Sequence, residues 1–221
     1  MASSVFPLRG LAVALALAVT AGCTTMAQRP EPAPAPRFSA LDIERYGEVD
    51  GEPFHVPAVS LEDLRPHNLR QLVDYRTKET PGTIIVDPKH RFLYLVQEGG
   101  KALRYGVGVG REGLAWSGSA NVATKRAWPN WTPTPDMIRR EPGKYAKWAG
   151  GMKGGADNPL GARALYLFKD GRDTLYRIHG TNEPETIGEA VSSGCIRMMN
   201  QDVIDLYRRV AAGAKVVVLA G

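Results

Sequence analysis

One histidine and one cysteine, His179 and Cys195, stand sixteen positions apart in a stretch rich in glycine and hydroxyl residues. The stretch opens with His179-Gly180-Thr181-Asn182 and closes with Ser192-Ser193-Gly194-Cys195-Ile196-Arg197-Met198. A thiol attacks an amide carbonyl usefully only as the thiolate, and a free cysteine, with a pKa of about 8.5, needs a base or a positive charge at neutral pH. His179 can serve as that base, and Arg197 lies close enough in sequence to add positive potential. Gly194 lets the backbone turn tightly ahead of the thiol. Main-chain N–H groups of Cys195 and the one or two residues before it could then hold a tetrahedral oxyanion. Taken singly, a cysteine between glycine and isoleucine reads as a small buried hydrophobe, and a strand-end histidine as a hydrogen-bonded structural residue. Only the joint pattern points to nucleophilic catalysis.

The elements that must position these residues are mostly strands. From Pro81-Gly82 onward the β signal is dense: Thr83 to Asp87, then Arg91 to Val96, then a Glu98-Gly99-Gly100-Lys101 turn into Ala102 to Val109. A second hairpin joins Ala164–Phe168 to Thr174–His179 through Lys169-Asp170-Gly171-Arg172, which places His179 where a strand runs out. After Cys195, Asn200 can cap a helix whose Val203, Leu206, Tyr207 and Val210 share one face. Gly213 would end it, and Lys215 to Leu219 would be a final buried strand. Gly106, Gly108, Gly110 and Gly113 suggest a phosphate loop only superficially, because no helix follows them. With 24 Gly and 16 Pro in 221 residues, the fold class expected is mainly β with one well-marked helix.

The remaining sequence bounds the setting. A net charge of +5 is spread without a Lys/Arg block, so nucleic acid is not the expected partner, whereas an anionic wall or membrane face is compatible. The histidines at 55, 67, 90 and 179 and the two cysteines offer no zinc-ligand spacing, so no metal is expected. Residues 1–22 read as a secretory signal, with Arg9, an apolar run from Leu11 to Val19, and Thr20-Ala21-Gly22 before Cys23. Ala21-Gly22-Cys23 resembles a lipoprotein box, which would lipidate Cys23; ordinary cleavage after a small residue is the other reading. Residues 23–36 carry alternating Pro30, Pro32, Pro34 and Pro36 and read as a semi-stiff tether. Residues 37–80 read as an extension packing on the catalytic domain, which spans 81–221.

The His179-Gly180-Thr181 and Ser192-Ser193-Gly194-Cys195-Ile196-Arg197 segments resemble the YkuD domain of L,D-transpeptidases, in its ErfK/YbiS/YcfS/YnhG branch. Trp128-Pro129-Asn130-Trp131-Thr132-Pro133 and Asp157-Asn158-Pro159-Leu160-Gly161 resemble that branch too, and the likeness covers roughly residues 81–221. Many members carry histidine where this chain has Ser193. The resemblance implies a β-sandwich or mixed-sheet fold with few helices and an exported enzyme of the periplasm or cell envelope that needs no cofactor. Cys195 would be the nucleophile, His179 the base, and the Gly180 carbonyl the group orienting the imidazole, with Gly194 shaping the turn. Substrate contacts would fall to Arg197, Ser193, Ser192 and Thr181. The implied partners are peptidoglycan stem peptides, an envelope protein as a second kind of acyl acceptor, and a membrane through the lipid anchor. A carboxypeptidase with the same site, a silent wall-binding lipoprotein and a protease remain as rivals. Trp116, Trp128, Trp131 and Trp148 could line a substrate groove or pack in the core.

Overall fold

The computed structural model describes Met1 and residues 37–110, 116–191 and 195–221. The secretory signal, Cys23 and the tether lie outside the described residues, as do Ser192, Ser193 and Gly194. Among the described residues no helix is long and apolar enough to cross a membrane.

Among the described residues the expected β content is present as one mixed sheet of eleven strands. In chain order these are β1 (Gln71–Asp74), β2 (Ile84–Asp87), β3 (Phe92–Val96), β4 (Lys101–Gly106), β5 (Gly108–Gly110), β6 (Gly118–Ala127), β7 (Arg163–Lys169), β8 (Arg172–His179), β9 (Ala190–Val191), β10 (Ile196–Arg197) and β11 (Lys215–Val218). They bond in the order β1-β4-β3-β2-β11-β6-β7-β8-β10-β5-β9. β4 stands second in that order and β5 tenth, yet Val107 alone separates them in the chain. Two peptide links span only about 7 Å. The sheet must therefore double back until its far ends lie side by side, and this fold-back creates an interior.

That interior is filled by alternate residues of the strands. Val86, Leu93, Tyr105, Val122, Leu165, Leu167, Ile178, Ile196 and Val216 are buried together with Val203, Leu206 and Val210. The last three come from α4 (Asn200–Arg209) and its C-terminal cap, the one long helix after Cys195. α1 (Ala40–Arg45), α2 (Pro135–Arg140) and α3 (Pro142–Tyr145) are single turns or little more. Both expected hairpins form. At Asp170 and Gly171 the φ angles are 50° and 73°, the pair of positive values a tight two-residue hairpin requires.

Three local expectations change. The strand expected over Ala102 to Val109 breaks at Val107, where β4 leaves one end of the sheet and β5 joins the other. β11 is central, but it alternates: Val216 and Val218 are buried, Lys215 is exposed. Its position between β2 and β6 makes the sheet continuous without burying both faces. The helix ends at Arg209 with Val210 as its cap, ahead of Gly213, whose φ of 86° serves the turn into β11.

Leu165 sits on β7 with no exposed surface. Leu165→Ala removes core contacts that a strand paired on both sides cannot relax to recover, and should cost about 3 kcal/mol. The check is urea unfolding: a lower midpoint with an unchanged slope is expected.

Candidate active site

The site is assembled by a short parallel pairing. β10 lies parallel to β8 with Ile196 opposite Ile178 and Arg197 opposite His179. Ile178 and Ile196 face the core. By strand alternation, His179 and Arg197 project from the opposite face. Cys195 immediately precedes β10 and is two residues from Arg197, so strand alternation would direct it to the same face as His179 and Arg197. Its backbone is fixed from the far side, where the Gly110 N–H donates to the Cys195 carbonyl at 3.3 Å. The Met198 N–H donates to the His179 carbonyl at 2.8 Å and locks the two strands. Cys195 is half-buried and makes no disulfide among the described residues.

His179 is 4% exposed. Its Nδ1 lies 2.6 Å from the Gly180 carbonyl oxygen. A carbonyl can only accept, so Nδ1 carries the proton and Nε2 is left with its lone pair, the tautomer a base requires. Burial pushes the imidazole pKa down to about 4; the Gly180 carbonyl opposes this, and the positive charges of Arg197 and Arg177 reinforce it. The ring is therefore neutral and proton-accepting across the ordinary range.

The Gly180 carbonyl is aimed by a close backbone crossing. A Cβ at Gly180 would meet Asn200 Oδ1 at 2.2 Å, and one at Gly161 would meet Gly180 C at 2.7 Å. Gly161 also has a φ of 61°. Asn200 ties the crossing together, accepting from the Ala162 N–H at 2.9 Å and donating to the Thr181 carbonyl at 2.9 Å. This corrects the expected capping role. Asn200 is the first helical residue, the cap is Met199 without a side-chain bond, and the Asn200 amide holds the loop after the base. Asn158, in the Asp157-Asn158-Pro159-Leu160-Gly161 segment, is fully buried and fastens that loop through Pro129, Lys153 and Leu160.

The other expected site residues fall in different places. Arg197 projects beside His179 and pairs with Glu183 at 3.0 Å. Thr181 is 2% exposed, and its hydroxyl accepts the Glu183 N–H at 3.0 Å, inside the loop. Ser192, Ser193 and Gly194 lie outside the described residues. Trp116 stacks on Tyr176 at 4.9 Å against the margin of the main core. The Trp128 indole N–H donates to Glu52 at 2.9 Å, and its ring packs against Val56, Ala162 and Ile204. Trp131 meets Tyr145 edge-on, and Trp148 lies beneath Lys147.

Sequence reading missed Asn68. This buried side chain donates to the Ile187 carbonyl at 2.9 Å, within the loop between the base and the cysteine. Gly188 and Gly106 lack the Cβ that would collide with it. Ile187 and Met199 share a buried cluster with Phe38, Tyr46, Val59, Leu64 and Leu69. Residues 37–69 thus brace the loop that carries the chain from His179 to Cys195. A lone asparagine in a polar stretch gives no signal of such a role.

The fold and site define a β domain in which a buried histidine ends one strand and a cysteine precedes the strand parallel to it. Comparison places the chain within a known group. A family model for the L,D-transpeptidase catalytic domain, YkuD, matches residues 81–218, and the chain belongs to that family. It is 34% identical over 139 residues to the Escherichia coli K12 protein named "Probable L,D-transpeptidase YbiS", covering 61% of this chain and 43% of that protein. A second K12 protein, "Probable L,D-transpeptidase YcfS", is 34% identical over 137 residues, covering 60% and 42%. The chain thus spans less than half the length of these relatives. A crystal structure from Brucella melitensis, described as a probable carnitine operon oxidoreductase caia, is 53% identical with a TM-score of 0.48, covering 68% of this chain and 92% of that one.

Two substitutions test the positioning. Asn200→Ala leaves the Ala162 N–H and Thr181 carbonyl without their partner and loosens the Gly180 carbonyl. Turnover should fall about tenfold, and the acid limb of kcat/KM should move to lower pH, because the carbonyl that supports the protonated imidazole is loosened. An unmoved limb would contradict the clamp. Asn68→Ala should lower kcat with little change in KM while the protein stays folded by circular dichroism; unaltered turnover would show the loop to be held by other contacts.

Proposed function

We propose that the chain is a peptidoglycan L,D-transpeptidase with Cys195 as nucleophile and His179 as base. The observation that carries this is the imidazole held by Nδ1 on the Gly180 carbonyl, at the end of a strand paired in parallel with the one that Cys195 precedes. Family membership over residues 81–218 supports the substrate class.

Nε2 of His179 takes the thiol proton, and Cys195 Sγ bonds to the diaminopimelate carbonyl of a tetrapeptide stem. A tetrahedral oxyanion would be met by main-chain N–H groups, that of Cys195 among them. As the C–N bond breaks, His179 returns the proton to the departing D-alanine amine, and a thioester remains. An acceptor amine then loses a proton to His179 and displaces the sulfur. A diaminopimelate amine gives a 3-3 cross-link; a protein amine attaches that protein to the wall.

Arg197, paired with Glu183, would add positive potential near the thiol. Export through residues 1–22, lipidation of Cys23 and a tether over 23–36 would hold domain 81–221, braced by 37–80, off a membrane in the envelope.

Incubation with purified tetrapeptide muropeptides followed by mass spectrometry tests the reading. Dimer marks the transpeptidase and tripeptide the carboxypeptidase, whereas no change would refute the substrate assignment unless adding a protein acceptor yields a conjugate. Cys195→Ala should abolish D-alanine release with the fold intact, and should erase the mass adduct that a carbapenem leaves on the native protein. Full activity in that variant would remove Cys195 from the mechanism.

A further inference from the structure

The sheet face that carries the base continues across two more strands. In β8, His179 is opposite Ala164 of β7, and Ala164 is opposite Arg126 of β6. Directly opposed residues in antiparallel strands project to the same side, so Arg126, Ala164, His179 and Arg197 form one row on one face. The adjacent row holds Thr124, Tyr166 and Arg177. At roughly 4.8 Å per strand, the Arg126 backbone lies about 10 Å from that of His179. Ala164 between them is small, which keeps the row low.

Arg126 differs from its neighbours in charge balance. Arg177 is paired with Asp173 at 2.7 Å, and its guanidinium lies 4.3 Å from the centre of the Tyr166 ring. Arg197 is paired with Glu183, and Arg163, on the opposite face, with Glu52. Arg126 is exposed and has no carboxylate partner among the described residues. It borders a hollow of about 380 Å³ lined also by Ala127, Trp128, Pro129, Asn130 and Tyr166. A guanidinium with no carboxylate partner among the described residues, at the rim of a polar hollow and in register with His179, has the chemistry to bind a carboxylate in a bidentate fork.

We infer that Arg126 and this hollow form a subsite that reads a free carboxylate of the donor peptide. The inference rests on the stem-peptide reading of the site and deepens it. The 10 Å between the Arg126 and His179 backbones equals about three extended residues at roughly 3.5 Å each, and the arginine arm shortens that gap. A carboxylate near the scissile carbonyl therefore falls within reach. The stem offers three such groups: the free carboxyl of its γ-linked glutamate, the side-chain carboxyl of diaminopimelate, and the terminal carboxyl of D-alanine. The shared chemistry is a carboxylate held by a guanidinium, and the assay separates the sources.

The full chain and its Arg126→Gln variant are assayed for D-alanine release on the unmodified tetrapeptide stem and on three stems, each with one carboxyl amidated. Arg126→Gln should lower kcat/KM about tenfold on the unmodified stem, chiefly through KM, with an unchanged melting curve. On the stem whose recognised carboxyl is amidated, the two proteins should become equal; the other two stems should preserve the tenfold difference. Arg126→Lys should recover only part of the loss, because an ammonium lacks the planar fork. The subsite is overturned if Arg126→Gln matches the native protein on the unmodified stem, or if their ratio is the same on all four stems. Native protein that releases no D-alanine from any stem, while a carbapenem still acylates Cys195, overturns the stem-peptide reading and the subsite together. Activity with a constant ratio overturns the subsite alone.

Discussion

The parallel pairing of β10 with β8 is the constraint on which the site depends. β10 is two residues long and cannot hold its register by its own hydrogen bonds. Parallel neighbours usually need a crossover of a dozen or more residues, commonly a helix. Here the crossover is the loop from Gly180 to Cys195, containing only a single 3₁₀ turn at Pro184–Thr186 and the two-residue β9 among its described residues. Its placement is therefore delegated. Gly110 fixes Cys195 from one side and His179 fixes Met198 from the other. Asn68 and the Arg65–Glu189 pair hold the loop's middle from residues outside the matched family region. A histidine and a cysteine brought together by so short a strand keep their placement only because neighbouring elements over-determine it.

This division explains what the sequence made legible. The hairpins were readable because Gly99-Gly100 and Asp170-Gly171 are turn residues whose positive φ no ordinary pair would accept. His179 and Cys195 stood out because their types and spacing constrain chemistry, and family likeness singled out the Gly180 carbonyl, which the imidazole contacts. The break at Val107 was not readable: Gly106, Val107 and Gly108 continue a strand-like pattern, and only the doubling of the sheet decides that the chain changes ends there. Asn200 misled for a similar reason. An asparagine ahead of an amphipathic run satisfies the local rule for a cap, but the crossing of Gly161 over Gly180 presents a backbone donor and acceptor for its amide, and that tertiary demand prevails. Asn68 depends wholly on two distant glycines that leave room for it.

Charge organisation follows the same logic of delegation. Buried cationic side chains are matched with carboxylates: Arg163 bonds Glu52, whose carboxyl this contact holds below its ordinary pKa. Tyr46 reaches both carboxylate oxygens of Asp202 at 3.1 Å, and Arg70 bonds Asp205 at 2.8 Å, so residues 46 and 70 are anchored to the helix that follows the thiol. Through Asn200, that helix also orients the carbonyl behind the base. Helix position, loop position and imidazole tautomer are thus one mechanical unit.

The two fully buried titratable groups of this unit pull stability in opposite directions. Burial lowers the His179 pKa from 6.5 to about 4, so the unfolded chain binds a proton that the native state refuses between those values. The stability tied to His179 is present above 6.5 and lost as pH falls through 4. Asp202 is raised from 3.8 to about 7, chiefly by burial, with Arg70 and the Tyr46 hydroxyl acting against the rise. Its contribution is present below 3.8 and lost as pH rises through 7. Between about pH 4 and 6.5 the two slopes have opposite sign and offset each other. The two linkages cancel in part, so the pH dependence of stability between about 4 and 6.5 is shallower than either group alone would give.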